Sequence, residues 1–331
     1  MTRTTLGVPL LVLACGASPS PSGDGSTSTS DGGSTSVTTS MSSTTQSITT
    51  AADSTSESTD TSTTTAGTSV DGVDLGSGEE TGTSAGCGNA NAPTGEAVRA
   101  LTIQDVQRSF IVDAPSRIDP EQPLALVFVF HGNGGNGQAS QGMGLQNVAG
   151  AQAQAVFVFP DGLEYMGFGV GWDAVCEEYD MEFFDAMIAT LSEDYCIDPD
   201  RIFAAGFSWG GDMCQALACC RGDVVRAIAP ASGPEFFPST YPAACPDTER
   251  PAFRMTYATN DAYPPQLFAD TIEWHRTEQG CAADPIATDP APCVAYQRCA
   301  EPVIACEYEG LGHAWPGDWA DETWAFFSTF E

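Results

Sequence analysis

The sequence predicts an α/β fold built on a mostly parallel, doubly wound sheet, and three observations carry that expectation. The runs Leu124-Ala125-Leu126-Val127-Phe128-Val129-Phe130 and Ala155-Val156-Phe157-Val158-Phe159 are apolar at every position, as strands covered on both faces must be. Further apolar stretches at 202–205, 226–229, 253–257 and 303–308 are separated by segments long enough to hold helices. In the clearest of these segments Phe184, Met187, Ile188, Leu191 and Tyr195 recur at i, i+3, i+4, i+7 and i+11, which is one face of a helix. Helices are also expected at 210–220, 266–277 and 320–329.

From the N-terminus, residues 1–15 carry Arg3, the apolar core Leu6-Gly7-Val8-Pro9-Leu10-Leu11-Val12-Leu13, and then Ala14-Cys15. This resembles a bacterial lipoprotein signal in which Cys15 becomes the lipidated first residue; an ordinary secretory signal, or a misplaced start, is the other reading. The expected location is therefore outside the cell or on the surface of a bacterial envelope. Residues 16–86 hold 37 Ser or Thr in 71 positions, with nine acids and no base. Such a stretch buries too little apolar surface to offset its ordering entropy, so a disordered spacer is expected, about 45 Å end to end. Residues 87–331 remain as a single catalytic domain, long enough for a large core.

Charge and cysteines narrow the function. The chain has 44 acids against 11 basic residues, all arginine, for a net charge of −33. Nucleic acid is excluded as a partner. No apolar run reaches the roughly 20 residues that span a bilayer, so membrane contact is expected only through a lipid on Cys15. Eleven cysteines lie between Cys87 and Cys306, predicting up to five disulfides and one thiol in an oxidising compartment. Of the adjacent Cys219 and Cys220, at best one is expected to pair comfortably with a partner near Cys196. Cys281, Cys293, Cys299 and Cys306 are expected to brace a loop late in the chain. The three histidines are isolated and the cysteine spacings follow no finger pattern, so neither a metal nor an organic cofactor is expected. A monomer is expected.

The chemistry centres on Gly206-Phe207-Ser208-Trp209-Gly210-Gly211. The Gly-x-Ser-x-Gly string alone is weak, and Gly82-Thr83-Ser84-Ala85-Gly86 fits it equally well inside the spacer. Context separates the two. Ser208 follows an apolar strand and opens a helical stretch, the strand-turn-helix that projects a strained serine hydroxyl. A serine needs a base. His275 sits in the polar stretch Glu273-Trp274-His275-Arg276 and reads as an exposed surface residue. His131 follows the first buried strand, upstream of the serine, in His131-Gly132-Asn133-Gly134-Gly135-Asn136. The order serine, acid, histidine selects His313, in Gly312-His313-Ala314-Trp315-Pro316-Gly317. For the acid, Asp261 follows the stretch 253–257 and is best placed, with Asp270, Asp284 and Asp289 as the alternatives.

These residues resemble the secreted α/β-hydrolase-fold esterases: feruloyl esterases, acetylxylan esterases and polyhydroxybutyrate depolymerase-like proteins. The resemblance covers nearly all of 87–331. It rests on the His131-Gly132 loop, Pro160-Asp161-Gly162 with Gly171-Trp172, Cys196-Ile197-Asp198-Pro199-Asp200-Arg201-Ile202-Phe203 leading into the Ser208 motif, and the His313 motif. Cys293, Tyr296, Cys299 and Cys306 look most like the feruloyl branch. One departure is Tyr257-Ala258 where the group commonly has His-Gly before its acid. The resemblance implies two-step acyl transfer by Ser208, His313 and Asp261 on an ester of a polysaccharide or polyester. It also implies an oxyanion hole from the backbone N–H of Trp209 and of Gly132 or Asn133. His131, Trp172 and Trp315 are candidates for substrate contact. A carbohydrate-binding surface protein on an inactive hydrolase scaffold is the alternative from another class.

Overall fold

The computed structural model describes residues 84–165, 167–234, 245, 246, 249–288 and 291–330. Cys15, the segment 1–15 and residues 16–83 lie outside them.

In chain order the strands are β1 (Gly95–Ile103), β2 (Val106–Ala114), β3 (Leu124–Phe130), β4 (Ala155–Pro160), β5 (Leu163–Tyr165), β6 (Gly169–Gly171), β7 (Ile197–Phe207), β8 (Ala227–Ala231), β9 (Ala252–Ala258), β10 (Ile286–Ala287), β11 (Cys293–Ala295) and β12 (Val303–Tyr308). The helices are α1 (Gly137–Gln141), α2 (Ala151–Gln154), α3 (Tyr179–Asp194), α4 (Trp209–Cys220), α5 (Pro265–Glu278) and α6 (Trp319–Phe327). Among the described residues ten strands form one sheet in the order β1-β2-β4-β3-β7-β8-β9-β12-β11-β10, and β5-β6 form a separate hairpin. The run from β4 to β12 is parallel throughout. Antiparallel strands close both edges.

The central strand β3 is buried at every position, and its residues divide between two cores. Leu124, Leu126, Phe128 and Phe130 pack with Phe184, Met187, Leu217 and Phe268 of α3, α4 and α5. Ala125, Val127 and Val129 face the other side with Trp324 and Phe327 of α6. This is the doubly covered sheet that the apolar runs predict. β1 has no such run because it is an edge strand, largely exposed, with Val98 in the open.

Two expectations need correction. The folded unit begins before Cys87: the Gly86 N–H donates to the Ser192 carbonyl, and the Ser84 hydroxyl donates to the Tyr195 carbonyl while accepting the Ile197 N–H. Ser84–Gly86 therefore seat on the α3–β7 turn, where they satisfy backbone groups that no strand or helix pairs. Cys219 and Cys220 also both pair, with Cys245 and Cys176 respectively, while Cys196 pairs with Cys87. Successive residues on a helix project about 100° apart, so adjacent sulfurs at the end of α4 reach different partners. Cys281–Cys299 and Cys293–Cys306 fasten the β10–β12 region. Cys214 is the buried thiol among the described cysteines.

Candidate active site

Ser208 stands in the turn from β7 to α4 with φ 55° and ψ −123°, a left-handed conformation that costs a non-glycine residue about 1–3 kcal/mol. The fold holds it there. The Ser208 N–H donates to the Ala231 carbonyl of β8 at 2.9 Å. A Cβ at Gly206 would run into the Gly210 carbonyl, and one at Gly210 into the Phe130 carbonyl. Strand and helix thus pass at a distance that only glycines allow.

The loop after β12 brings His313 to this hydroxyl. Its Nε2 lies 2.9 Å from Ser208 Oγ, and its Nδ1 lies 2.8 Å from Asp261 Oδ1. With the proton on Nδ1 the imidazole donates to the carboxylate and turns a lone pair toward the hydroxyl, the arrangement that can draw a proton from serine. Asp261 follows β9; its carboxylate also accepts the Tyr263 N–H at 3.1 Å. Burial alone would push Asp261 upward, but the hydrogen bonds from His313 and the Tyr263 amide outweigh it and hold the carboxyl below its ordinary value. Asn260 joins the two loops by accepting the Gly312 N–H at 2.9 Å. Of the alternative acids, Asp270 bonds Gln266 on the exposed face of α5, Asp284 is exposed, and Asp289 lies outside the described residues.

The glycine-rich loop after β3 runs against the serine. A Cβ on Gly132 would lie 3.2 Å from the Ser208 Cβ. The turn is closed by Gly135 N–H to the Gly132 carbonyl and tied to the β5–β6 hairpin by Gly134 N–H to the Val170 carbonyl. Asn133 Nδ2 donates to the Phe168 carbonyl at 3.0 Å. Trp209 is the first residue of α4, so its N–H has no partner within the helix.

Three other readings change. His131 is 1% exposed; it donates from Nδ1 to the Gly132 carbonyl and accepts the Gly162 N–H at Nε2. Burial lowers its pKa, and it serves as a neutral pin between two loops, closed to substrate. Trp315 packs edge-on against Phe207, whose ring lies against His313. It is half-buried and is not among the residues that line the cleft beside Ser208. His275 is fully buried: its ring stacks on Phe253 at 3.7 Å and its Nε2 pairs with Gln215 Oε1 at 2.8 Å. Burial holds its pKa well below the ordinary value. Trp172 borders the site while its indole N–H donates to the His131 carbonyl.

A cleft of about 390 Å³ opens beside Ser208. Phe168, Trp172, Trp209 and Tyr263 give it aromatic walls, and Asn133, Asp173 and Asp212 its polar groups. Asp212 and Tyr263 were accessible to sequence reasoning through their offsets of four from Ser208 and two from Asp261; Asp173 carried no such signal. Burial, then the neighbouring Asp180 carboxylate, pushes the Asp173 pKa up to about 7. Asp180 in turn accepts from Arg108 at 2.6 Å, from the Tyr165 hydroxyl at 2.9 Å and from the Asp173 N–H at 2.7 Å. The Arg108–Asp180 pair is 1% exposed at both residues. Cys176–Cys220 clamps the same segment to α4. Replacing Arg108 with Met strands the buried Asp180 charge and is expected to cost about 3–5 kcal/mol of stability. Urea denaturation measures this, and a loss below about 1 kcal/mol would mean that the pair does not hold the segment.

Cys176, Cys219 and Cys220 bring their sulfurs within 4.8 Å of one another. All three are in disulfides and offer no thiolate to a metal.

No protein-family profile matches the chain. It is 39% identical over 133 residues to "Feruloyl esterase C" of Emericella nidulans, a match covering 38% of this chain and 46% of that protein. It is 29% identical over 239 residues to "Probable feruloyl esterase C" of Aspergillus clavatus, covering 66% of this chain and 83% of that protein. The chain thus spans about half the length of the first of these curated relatives. Among solved structures, acetyl xylan esterase from Aspergillus awamori superposes with a TM-score of 0.57 at 15% identity, covering 70% of this chain and 99% of that one. The chain therefore shares the α/β-hydrolase fold of that structure and is similar in sequence to proteins named feruloyl esterase.

Proposed function

We propose that the protein is a serine carboxylic ester hydrolase, and that its substrates are hydroxycinnamoyl esters of plant polysaccharide. The observation that carries this reading is the Ser208–His313–Asp261 constellation, 2.9 and 2.8 Å between partners, at the mouth of an aromatic-walled cleft. His313 removes the hydroxyl proton as Ser208 Oγ attacks the ester carbonyl. Asp261 orients the ring and stabilises the imidazolium, which then protonates the departing alcohol. The backbone N–H groups of Trp209 and of the Gly132-Asn133 turn receive the negative charge of the tetrahedral intermediate. Water, activated by the same imidazole, attacks the acyl-enzyme and releases the acid.

The aromatic walls suit a planar cinnamoyl ring better than an acetyl group. The net charge of −33 disfavours anionic polymers and favours a neutral one such as arabinoxylan. The test compares kcat/KM on methyl ferulate, acetylated xylan and a 3-hydroxybutyrate oligomer. Methyl ferulate should be preferred. Tenfold preference for either alternative, about 1.4 kcal/mol in transition-state binding, rejects the feruloyl assignment and leaves the esterase mechanism standing.

Five disulfides among the described cysteines support an oxidising, extracytoplasmic location. Surface display through lipid on Cys15 belongs to the same reading, and the intact mass of the mature protein decides it.

A further inference from the structure

Two adjoining cavities lie at the other end of the sheet, where the hydrolytic reaction has no part. Ser208 follows the C-terminal end of β7, whereas Leu124 opens β3 and Gln154 ends α2 just before β4. Arg201 lies well before Phe207 along β7, about 20 Å of strand away. A local irregularity sets it there. Leu124 and Leu126 of β3 pair with Ile197 and Ile202 of β7, so residues 198–201 bulge opposite Ala125 alone. Beside this bulge is a cavity of about 370 Å³, lined by Arg201 and by Arg117 of the β2–β3 loop. A second cavity of about 500 Å³ shares Arg117 and Ala153 with the first.

Arginine is scarce in this chain and is usually matched. Seven of the ten described arginines form ion pairs with carboxylates. Among the described residues neither Arg117 nor Arg201 does, although the chain carries 44 acids. The Arg201 Nε–H is shielded from solvent and no described residue accepts it, a costly condition for a charged donor. Asp119 is the one acid lining either cavity, and its Oδ1 accepts the Glu121 N–H of its own turn at 3.1 Å. The lining thus holds two positive charges against one negative in a chain of net charge −33. Its remaining polar side chains are largely amides, Gln122 and Gln154 in the first cavity and Gln146 and Asn147 in the second. Gln146 is 6% exposed; its Nε2 donates to the Gln141 carbonyl, while its Oε1 accepts from no described donor. Amides both donate and accept, which suits a ligand rich in hydroxyls.

We infer that these cavities form a non-catalytic binding site for a saccharide bearing one carboxylate, a uronic acid residue on an otherwise neutral chain. Arg117 and Arg201 take the carboxylate, whose paired oxygens match the fork of a guanidinium. The amides take the neighbouring hydroxyls. That a saccharide carries the anion rests on the polysaccharide reading above; the positive lining does not. A lone carboxylate meets the repulsion of the acidic chain once, whereas a polyanion meets it at every residue. A polymer held at this end of the sheet leaves the cleft beside Ser208 open to its ester.

Calorimetric titration of the full chain compares a xylo-oligosaccharide carrying one glucuronic acid with the neutral oligosaccharide of the same length, and with inorganic phosphate. The acidic oligosaccharide is expected to bind about 10-fold tighter than the neutral one or better at low salt, the difference shrinking as salt rises. Arg117→Gln and Arg201→Gln should each bring that ratio within about threefold of unity. Neither side chain is near Ser208, so kcat/KM on 4-nitrophenyl acetate should stay within about twofold of wild type in both variants. Arg117 is exposed in a loop, so its variant serves if Arg201→Gln, within β7, does not fold.

Absent or equal affinity for the two oligosaccharides, or a preference unchanged in both variants, overturns the site. Phosphate binding as tightly as the acidic oligosaccharide overturns the saccharide as its ligand. None of these outcomes touches the esterase reading, which fails instead if wild type turns over no ester.

Discussion

Ser208→Ala is expected to lower kcat on 4-nitrophenyl acetate by about 10⁴-fold or more, with KM little changed. The size follows from the geometry. The Ser208 hydroxyl is the atom that His313 Nε2 faces at 2.9 Å, and without it neither the imidazole nor Asp261 behind it has a proton to move. Members of such a unit are not additive: once the nucleophile is gone, the rest of the machinery contributes little. The fold should tolerate the change, because alanine keeps the Cβ that the positive φ at 208 already accommodates; a melting temperature within a few degrees of wild type checks this. A fluorophosphonate should label wild type once, at Ser208, and the variant not at all. Ser84 is the informative control, since it fits the same sequence string. Its hydroxyl is committed to the Tyr195 carbonyl and the Ile197 N–H, and no histidine is among those partners. Adduct at Ser84, or activity retained above one-tenth of wild type, would sink the assignment. No adduct on wild type would favour a binding protein on a hydrolase scaffold.

What the sequence disclosed here was whatever could be reduced to local pattern or to chain order. β3 and β4 were legible because a strand covered on both faces must be apolar at every position, and such runs are rare. Ser208 was legible because its string lies between a buried strand and a helix. His313 emerged by elimination among three histidines, an argument available only because there were so few. The misreadings share a cause. His275 lies in a polar stretch, yet tertiary packing puts Phe253 under its ring and Gln215 at its nitrogen, and no local feature reports either partner. His131 and Trp315 occupy loops beside the site, but proximity in sequence to a functional motif does not say which way a side chain turns. Cys219 and Cys220 were judged by adjacency along the chain, whereas what decides pairing is the direction of each Cβ around the helix. The departure at Tyr257-Ala258 has a packing explanation: Tyr257 stacks on Phe268 of α5 at 4.6 Å, so that position of β9 serves the core.

Asp261→Asn tests the assignment on which that departure bears, and is expected to reduce kcat by about 10⁴-fold. In wild type the carboxylate accepts from His313 Nδ1 and from the Tyr263 N–H, which fixes the tautomer with its lone pair at Nε2. An asparagine of the same shape can present its NH₂ to Nδ1. The proton then moves to Nε2, where it meets the serine hydroxyl as a donor, and the base is lost while the geometry survives. The imidazolium formed during the reaction also loses its counter-charge, so the residual activity should depend more steeply on hydroxide than that of wild type. Stability supplies a second readout with a defined sign. The folded-state pKa of Asp261 is lowered, so its ionisation stabilises the fold above its ordinary value near 3.8, and that contribution disappears as pH falls through the lower folded value. The stability gap between wild type and Asp261→Asn should therefore be present at neutral pH and close below about pH 4. Asp270→Asn is the control, because that side chain bonds only Gln266 among the described partners and faces solvent; it should leave kcat within about twofold of wild type. If Asp261→Asn instead kept more than one-tenth of the activity, the imidazole would have to take its orientation from elsewhere, and the Asn260–Gly312 bridge at 2.9 Å would be the place to look.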